Sequence, residues 1–290
     1  MKKWILLVLF LVCATEASAK EIYIPIGDSI AAGQTPYRQI DVGYTDLIAR
    51  QLALSGQLLD YTKELTFPGY TVADVVNRIE QEDARALLAD ATLITISAGA
   101  NDLLPLVQAN PSAGTLTFSQ LSADFALNRA RKNFITLLDK VEQYAPNAEI
   151  YVIGYYFPYP NVHESQKIGT EKQLTLLNEI LKKQAELQGA HFINVAEPFA
   201  ANATSYLPNI ADVHPTIEGY LVMANAFLRE FNGSELAKEQ LPAPNPLTFE
   251  QLLKLRENNS REERSDVAKK EQMNDIEKYI IRFGYYRNLV

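Results

Sequence analysis

Five short apolar runs alternate along this chain with longer stretches whose apolar residues recur at helical spacing, and that alternation leaves few folds open. The runs are Ile22–Ile26, Leu58–Leu65, Leu93–Ser97, Glu149–Gly154 and Phe192–Val195. Between and after them, Tyr44–Leu54, Thr71–Ile79, Ala123–Tyr144, Glu171–Leu187 and the stretch from Thr216 to Phe231 each carry one apolar face. Runs as apolar as Ile22–Ile26 suit strands covered on both faces, which parallel sheets require, and Leu58–Leu65, with Asp60, Lys63 and Glu64, is strand-like but more polar. Strands alternating with amphipathic helices predict an α/β fold, a three-layer α/β/α sandwich around a mostly parallel, five-stranded, doubly wound sheet.

In such sheets ligands sit beyond the carboxyl ends of the strands, so the residues that end each run matter most. The first run ends in Gly27-Asp28-Ser29, where glycine permits a sharp turn and a hydroxyl follows it. The second ends in Phe67-Pro68-Gly69-Tyr70-Thr71, with Thr71 placed to cap the next helix. Gly99-Ala100-Asn101-Asp102 follows the third run, and Asp212-Val213-His214-Pro215 precedes the last helix, for which Thr216 is the expected cap. These parts suit acyl transfer. A serine hydroxyl needs an adjacent base to become a nucleophile, an imidazole can take that proton and return it to the leaving group, and a glycine N–H with an asparagine amide can hold an oxyanion.

Four such blocks in this order resemble the SGNH, or GDSL-type, serine hydrolase family, over roughly Ile22 to Phe231. The resemblance implies a flavodoxin-like sandwich, no cofactor and no metal. It implies hydrolysis of esters or thioesters by Ser29 and His214, with an oxyanion hole made of the Ser29 N–H, the Gly69 N–H and the Asn101 amide. Many family members place the triad aspartate three residues before the histidine, where this chain has Ala211. Asp212, two before, is the candidate orienter of the imidazole, and a backbone carbonyl is the other. The substrate class expected is an acyl ester, lysophospholipid or thioester. A deacetylase of acetylated wall sugars would use the same machinery. Two further alternatives are a metal-dependent phosphoesterase, with Asp28 and Asp102 as ligands together with His214, and an inactive envelope- or carbohydrate-binding module. Against the phosphoesterase stands the scarcity of histidine, with three in the whole chain. The aromatic stretch from Tyr155 to Gly169 reads either as packing beneath a connection or as the apolar wall of a pocket.

The ends of the chain carry separate signals. Lys2 and Lys3, an apolar core from Trp4 to Cys13, and Ala17-Ser18-Ala19 predict a signal peptide over residues 1–19 and hence an exported protein, secreted, periplasmic or held at the cell envelope. That core is shorter than the roughly 20 apolar residues of a membrane span. Cys13 is the only cysteine, so the mature chain would form no disulfide and depend on its core. The formal charge of −8 argues against nucleic acid as a partner. A hydrolase domain is expected over 20–240, then a Pro-rich linker and a charged helical extension over 241–290. That extension docks on the main domain or contacts a partner.

Overall fold

Pro25 has no N–H to give to a ladder, so the first strand, β1, comes in two segments, Glu21–Tyr23 and Ile26–Gly27. The structure, a computed structural model, describes residues 20–258. Helix α1 (Tyr44–Leu54) leads to strand β2, again in two segments, Leu58–Tyr61 and Leu65–Thr66. Helices α2 (Val72–Ile79) and α3 (Glu82–Ala89) precede strand β3 (Leu93–Ser97). Then come α4 (Gln120–Tyr144), β4 (Glu149–Ile153), α5 (Glu164–Leu187), β5 (His191–Ile193) and α6 (Ile217–Asn232).

The strands pair in the order β2-β1-β3-β4-β5, all parallel. One register row crosses the whole sheet, Leu65 to Ile26 to Ile96 to Val152 to Phe192. Every residue of β3 is buried, including Thr95 and Ser97. Helices α1 and α6 pack together, as do α2 with α4 and α4 with α5. The result is the five-stranded α/β sandwich expected. Chain order reverses between β1 and β3, and there ligands of such folds collect. Ser29 follows the first of those strands and Asn101 the second.

Both expected caps form, with Thr71 Oγ1 accepting from Asp74 N and Thr216 Oγ1 from Gly219 N. Other boundaries differ. Helix α5 begins at Glu164 rather than Glu171, so the aromatic connection after β4 ends at His163. Gly169 and Thr170 are weak helix formers, but Gly169 lies against the Phe118 ring and Thr170 Oγ1 donates back to Lys167 O. An antiparallel hairpin, Gln108–Asn110 with Thr115–Thr117, turns at Gly114 in the left-handed region. Its strands are too short to leave a pattern in the sequence.

Beyond α6 the chain returns to the body. Leu247 and Ile40 exchange backbone hydrogen bonds of 2.8 Å in both directions, and a helix runs over 249–258. This first part of the extension docks on the main domain and offers no support for a partner contact. The expected signal segment and the tail helix from about Ser265 to Ile281 lie outside the described residues. Among the described residues no helix is long and apolar enough to cross a membrane.

Candidate active site

Gly27 has φ +144°, and a Cβ there would stand 2.1 Å from the carbonyl oxygen of Ser97. Only glycine lets β1 turn this close to β3. Asp28 N donates to that same oxygen at 2.9 Å, and a single helical turn, Ser29–Ala32, begins at the serine. The Asp28 carboxylate is buried and accepts from Ile30 N (3.0 Å), Ser97 Oγ (3.1 Å) and Tyr155 OH (2.6 Å). Burial raises its carboxyl above the ordinary range, against the pull of those three donors. Asp102 is buried too, and Val72 N donates to its Oδ2 at 3.0 Å. Both acids beside the motif residues thus brace backbone turns, and donors of the protein already take both oxygens of Asp28.

His214 comes from the loop before α6. Its Nε2 lies 2.7 Å from Ser29 Oγ and its Nδ1 lies 2.6 Å from Asp212 Oδ1. The His214 backbone N–H also donates to Asp212 Oδ1, at 2.9 Å. A separation of two residues therefore works because the short aspartate side chain folds back over its own turn, meeting both the backbone and the ring of His214. The other neighbour of Nδ1 is the Gln34 amide nitrogen, at 3.3 Å. With an ionised Asp212 accepting at Nδ1, the proton sits there and the Nε2 lone pair faces the serine hydroxyl. Burial works to raise the Asp212 carboxyl, but the hydrogen bonds and charge of His214, with Arg38 at 3.9 Å, hold it below the usual range. Three bonds steady the loop: Tyr156 OH to Val213 O (2.7 Å), Asn209 Nδ2 to Pro36 O (2.7 Å) and Thr216 N to Tyr206 O (2.8 Å).

Asn101 Nδ2 donates one hydrogen to Tyr70 O at 2.9 Å, which orients the amide and leaves its second N–H for a ligand. Asn101 and Ser29 line the same cleft. Gly69, with φ +83°, precedes the residue whose carbonyl holds Asn101. It is not among the residues that line the cleft. Among the described residues, neither the Ser29 nor the Gly69 N–H donates to a protein acceptor.

From Ser29 the cleft, about 830 Å³ counting its open mouth, runs between Leu104, Val107, Phe118, Phe157, Leu174 and Leu177. Burial alone pushes the Tyr159 phenol at its wall up to about 12. The aromatic stretch after β4 serves in both expected ways, since Phe157 and Tyr159 line the cleft while Tyr156 stacks on Phe199 with ring centres 3.9 Å apart. Sequence reasoning missed Ser97 and Tyr155 as partners of Asp28, Gln34 beside His214, and the segment around the hairpin as a wall. No spacing signals these contacts, because each joins residues from different strands or loops.

A serine hydroxyl bonded to an imidazole, that imidazole bonded to a carboxylate, and amide donors across the cleft make up a serine ester hydrolase site. Residues 26–222 match the GDSL-like lipase/acylhydrolase family, and the chain belongs to that family of ester hydrolases. Among solved structures, it is similar to the Lip_vut3 lipase from a goat rumen metagenome (18% identity, TM-score 0.60, covering 74% of this chain and 99% of that one). It is also similar to a point mutant of Axe2, an acetyl-xylooligosaccharide esterase from Geobacillus stearothermophilus (19% identity, TM-score 0.57, covering 76% and 98%). At such identities the likeness is one of fold. A search of curated protein sequences gives no match.

Proposed function

We propose that the protein is an exported serine esterase that cleaves carboxylic esters with an apolar acyl chain through an acyl-enzyme. The observation that carries this reading is the unbroken series from Ser29 Oγ to His214 Nε2 (2.7 Å) and from His214 Nδ1 to Asp212 (2.6 Å). In the first half-reaction Ser29 Oγ attacks the ester carbonyl while His214 Nε2 takes its proton, and Asp212 stabilises the imidazolium that forms. The carbonyl electrons move onto oxygen, which the Ser29 and Gly69 N–H groups and the Asn101 amide stabilise. Collapse breaks the ester C–O bond, and His214 gives its proton to the leaving alcohol. Water, deprotonated by the same imidazole, then releases the acid and restores Ser29.

The cleft supports the choice of acyl group. Its walls are mainly leucine, valine, phenylalanine and tyrosine, with Thr170 and Gln173 among the few polar groups, a lining that favours alkyl chains over a sugar. Acetylated sugar remains the second reading, motivated by the Axe2 likeness. The basic start, short apolar core and Ala17-Ser18-Ala19 of residues 1–19 support export. A fluorophosphonate probe should label Ser29. A panel of aryl esters of rising acyl length, run beside acetylated xylan, tests the substrate. Turnover that peaks at acetate, with release from xylan, would replace the alkyl reading with the sugar one.

A further inference from the structure

Arg256 lies on the helix over 249–258, past the family-matched span, yet its guanidinium reaches the end of β2. It donates from Nη2 to Lys63 O at 2.9 Å and from Nη1 to Thr66 O at 3.2 Å. Its carbon centre stands 4.9 Å from the middle of the Phe67 ring, within cation–π range. The Phe67 ring in turn stacks on Tyr70, 4.8 Å away and 18° from parallel. One side chain thus holds the last two turns of backbone before Gly69 and the ring that supports the residue after it.

That segment carries one of the three proposed oxyanion donors and orients a second. Gly69 supplies its own N–H, and the Tyr70 carbonyl orients the Asn101 amide at 2.9 Å. Gly69 is a poor anchor for itself, with a left-handed φ and no atom within 4 Å of where a Cβ would be. The Tyr70 N–H to Phe67 O bond, at 3.3 Å, is long. From this arrangement we infer that Arg256 is a positioning residue of the oxyanion hole, so that the C-terminal extension completes a site whose reacting groups all lie before it. A guanidinium suits the task because its planar fork serves two carbonyls while its face lies on a ring, which an ammonium cannot do. The inference rests on reading Gly69 and Asn101 as oxyanion donors.

The test is Arg256→Ala and Arg256→Lys in the full chain, with kcat and KM on an aryl ester measured well below each variant's melting temperature. Removing one oxyanion donor outright costs about 10²–10³-fold, and loosening the turn should cost part of that. The expected result is a fall in kcat of about tenfold for Arg256→Ala, a smaller fall for Arg256→Lys, and KM within about twofold, as for a group felt mainly in the transition state. Arg256→Ala combined with Asn101→Ala should be less active than Asn101→Ala alone by clearly less than that tenfold, since both act on one hole. If folded Arg256→Ala has wild-type kcat, or if the two losses multiply in full, Arg256 only supports the fold and the inference fails. Should Arg256→Ala not fold, Arg256→Gln carries the same readouts. Ser29→Ala separates this from the proposed function, because activity in Ser29→Ala would overturn the serine mechanism whatever Arg256 does.

Discussion

Two carboxylates serve the candidate serine, both largely covered and both met by a backbone N–H, yet their remaining partners differ. Asp28 sits in the turn that follows β1, beside the end of β3, fully enclosed and met by one backbone N–H and two hydroxyls. Asp212 sits in an irregular loop, its side chain largely covered, and is met by the backbone N–H and the imidazole of His214, with Arg38 at 3.9 Å. Burial dominates the first and raises its carboxyl, while bonding and charge outweigh burial in the second and lower it. The contrast teaches that closeness to the serine in sequence is no guide to role. The acid one residue from Ser29 sets the shape of a turn, and the acid far along the chain stands where a proton must be managed.

The largest expected effect is the loss of the nucleophile itself, for which the Asp28 turn exists. Ser29→Ala should lose measurable esterase turnover and fluorophosphonate labelling with an unchanged melting temperature. Wild-type activity in that variant would remove both regions from the mechanism. Next comes the loop. Asp212→Asn should lower kcat by about 10⁴-fold, because an amide favours the wrong imidazole tautomer. A folded Asp212→Asn enzyme within about tenfold of wild type would mean that Ser29 and His214 act as a dyad and that the two acids differ less than their surroundings imply. Asn101→Ala, across the cleft, should cost about 10²–10³-fold in kcat with little change in KM. A rise in KM at constant kcat would make Asn101 a substrate-binding residue.

Smaller in activity, but sharper on the contrast, is Tyr155→Phe, which removes one donor from Asp28. It should destabilise the fold by about 1–3 kcal/mol and cost less than tenfold in kcat. Its pH dependence separates the two acids. A group with a raised folded pKa costs stability above that pKa and is relieved as pH falls through it, so the deficit of Tyr155→Phe should shrink as Asp28 protonates, above the usual carboxylate range. Asp212, with a depressed folded pKa, contributes stability above the unfolded value of about 4 and loses it only as pH falls below the ordinary range. Melting curves of Asp212→Asn should therefore approach wild type only at the acid extreme. Convergence of both variants at one pH would erase the distinction. Chelation is expected to do least, with full activity in EDTA. Loss that Mn²⁺ or Zn²⁺ restores would reopen the phosphoesterase reading.

Much of this architecture is legible in the sequence because parallel strands buried on both faces must be apolar, and Leu93–Ser97 leaves no other reading. Ser29, Asn101 and His214 could be singled out because each ends a strand or precedes a helix. The orienter stayed open between Asp212 and a carbonyl, since spacing along the chain does not say that a short side chain will fold back on its own turn. Tyr155 reads from the sequence as aromatic packing or as apolar wall, and its hydroxyl on Asp28 joins residues 127 positions apart. The Arg256 contacts were equally hidden, because a charged residue on a charged helix has an ordinary solvated reading until its guanidinium is seen on Phe67.

The apolar wall of the cleft comes from different parts of the chain than the reacting groups do. Leu104, Val107 and Phe118 lie around the hairpin between β3 and α4, and Leu174 and Leu177 lie on α5, whereas Ser29, Gly69 and Asn101 follow strands fixed by the sheet register. Loops tolerate insertion and replacement far better than strand ends do. The hairpin part of the cleft wall is therefore separable from the turns that carry the reacting groups. Grafting a shorter or more polar segment over 104–118 would retune what the enzyme accepts without touching how it cuts.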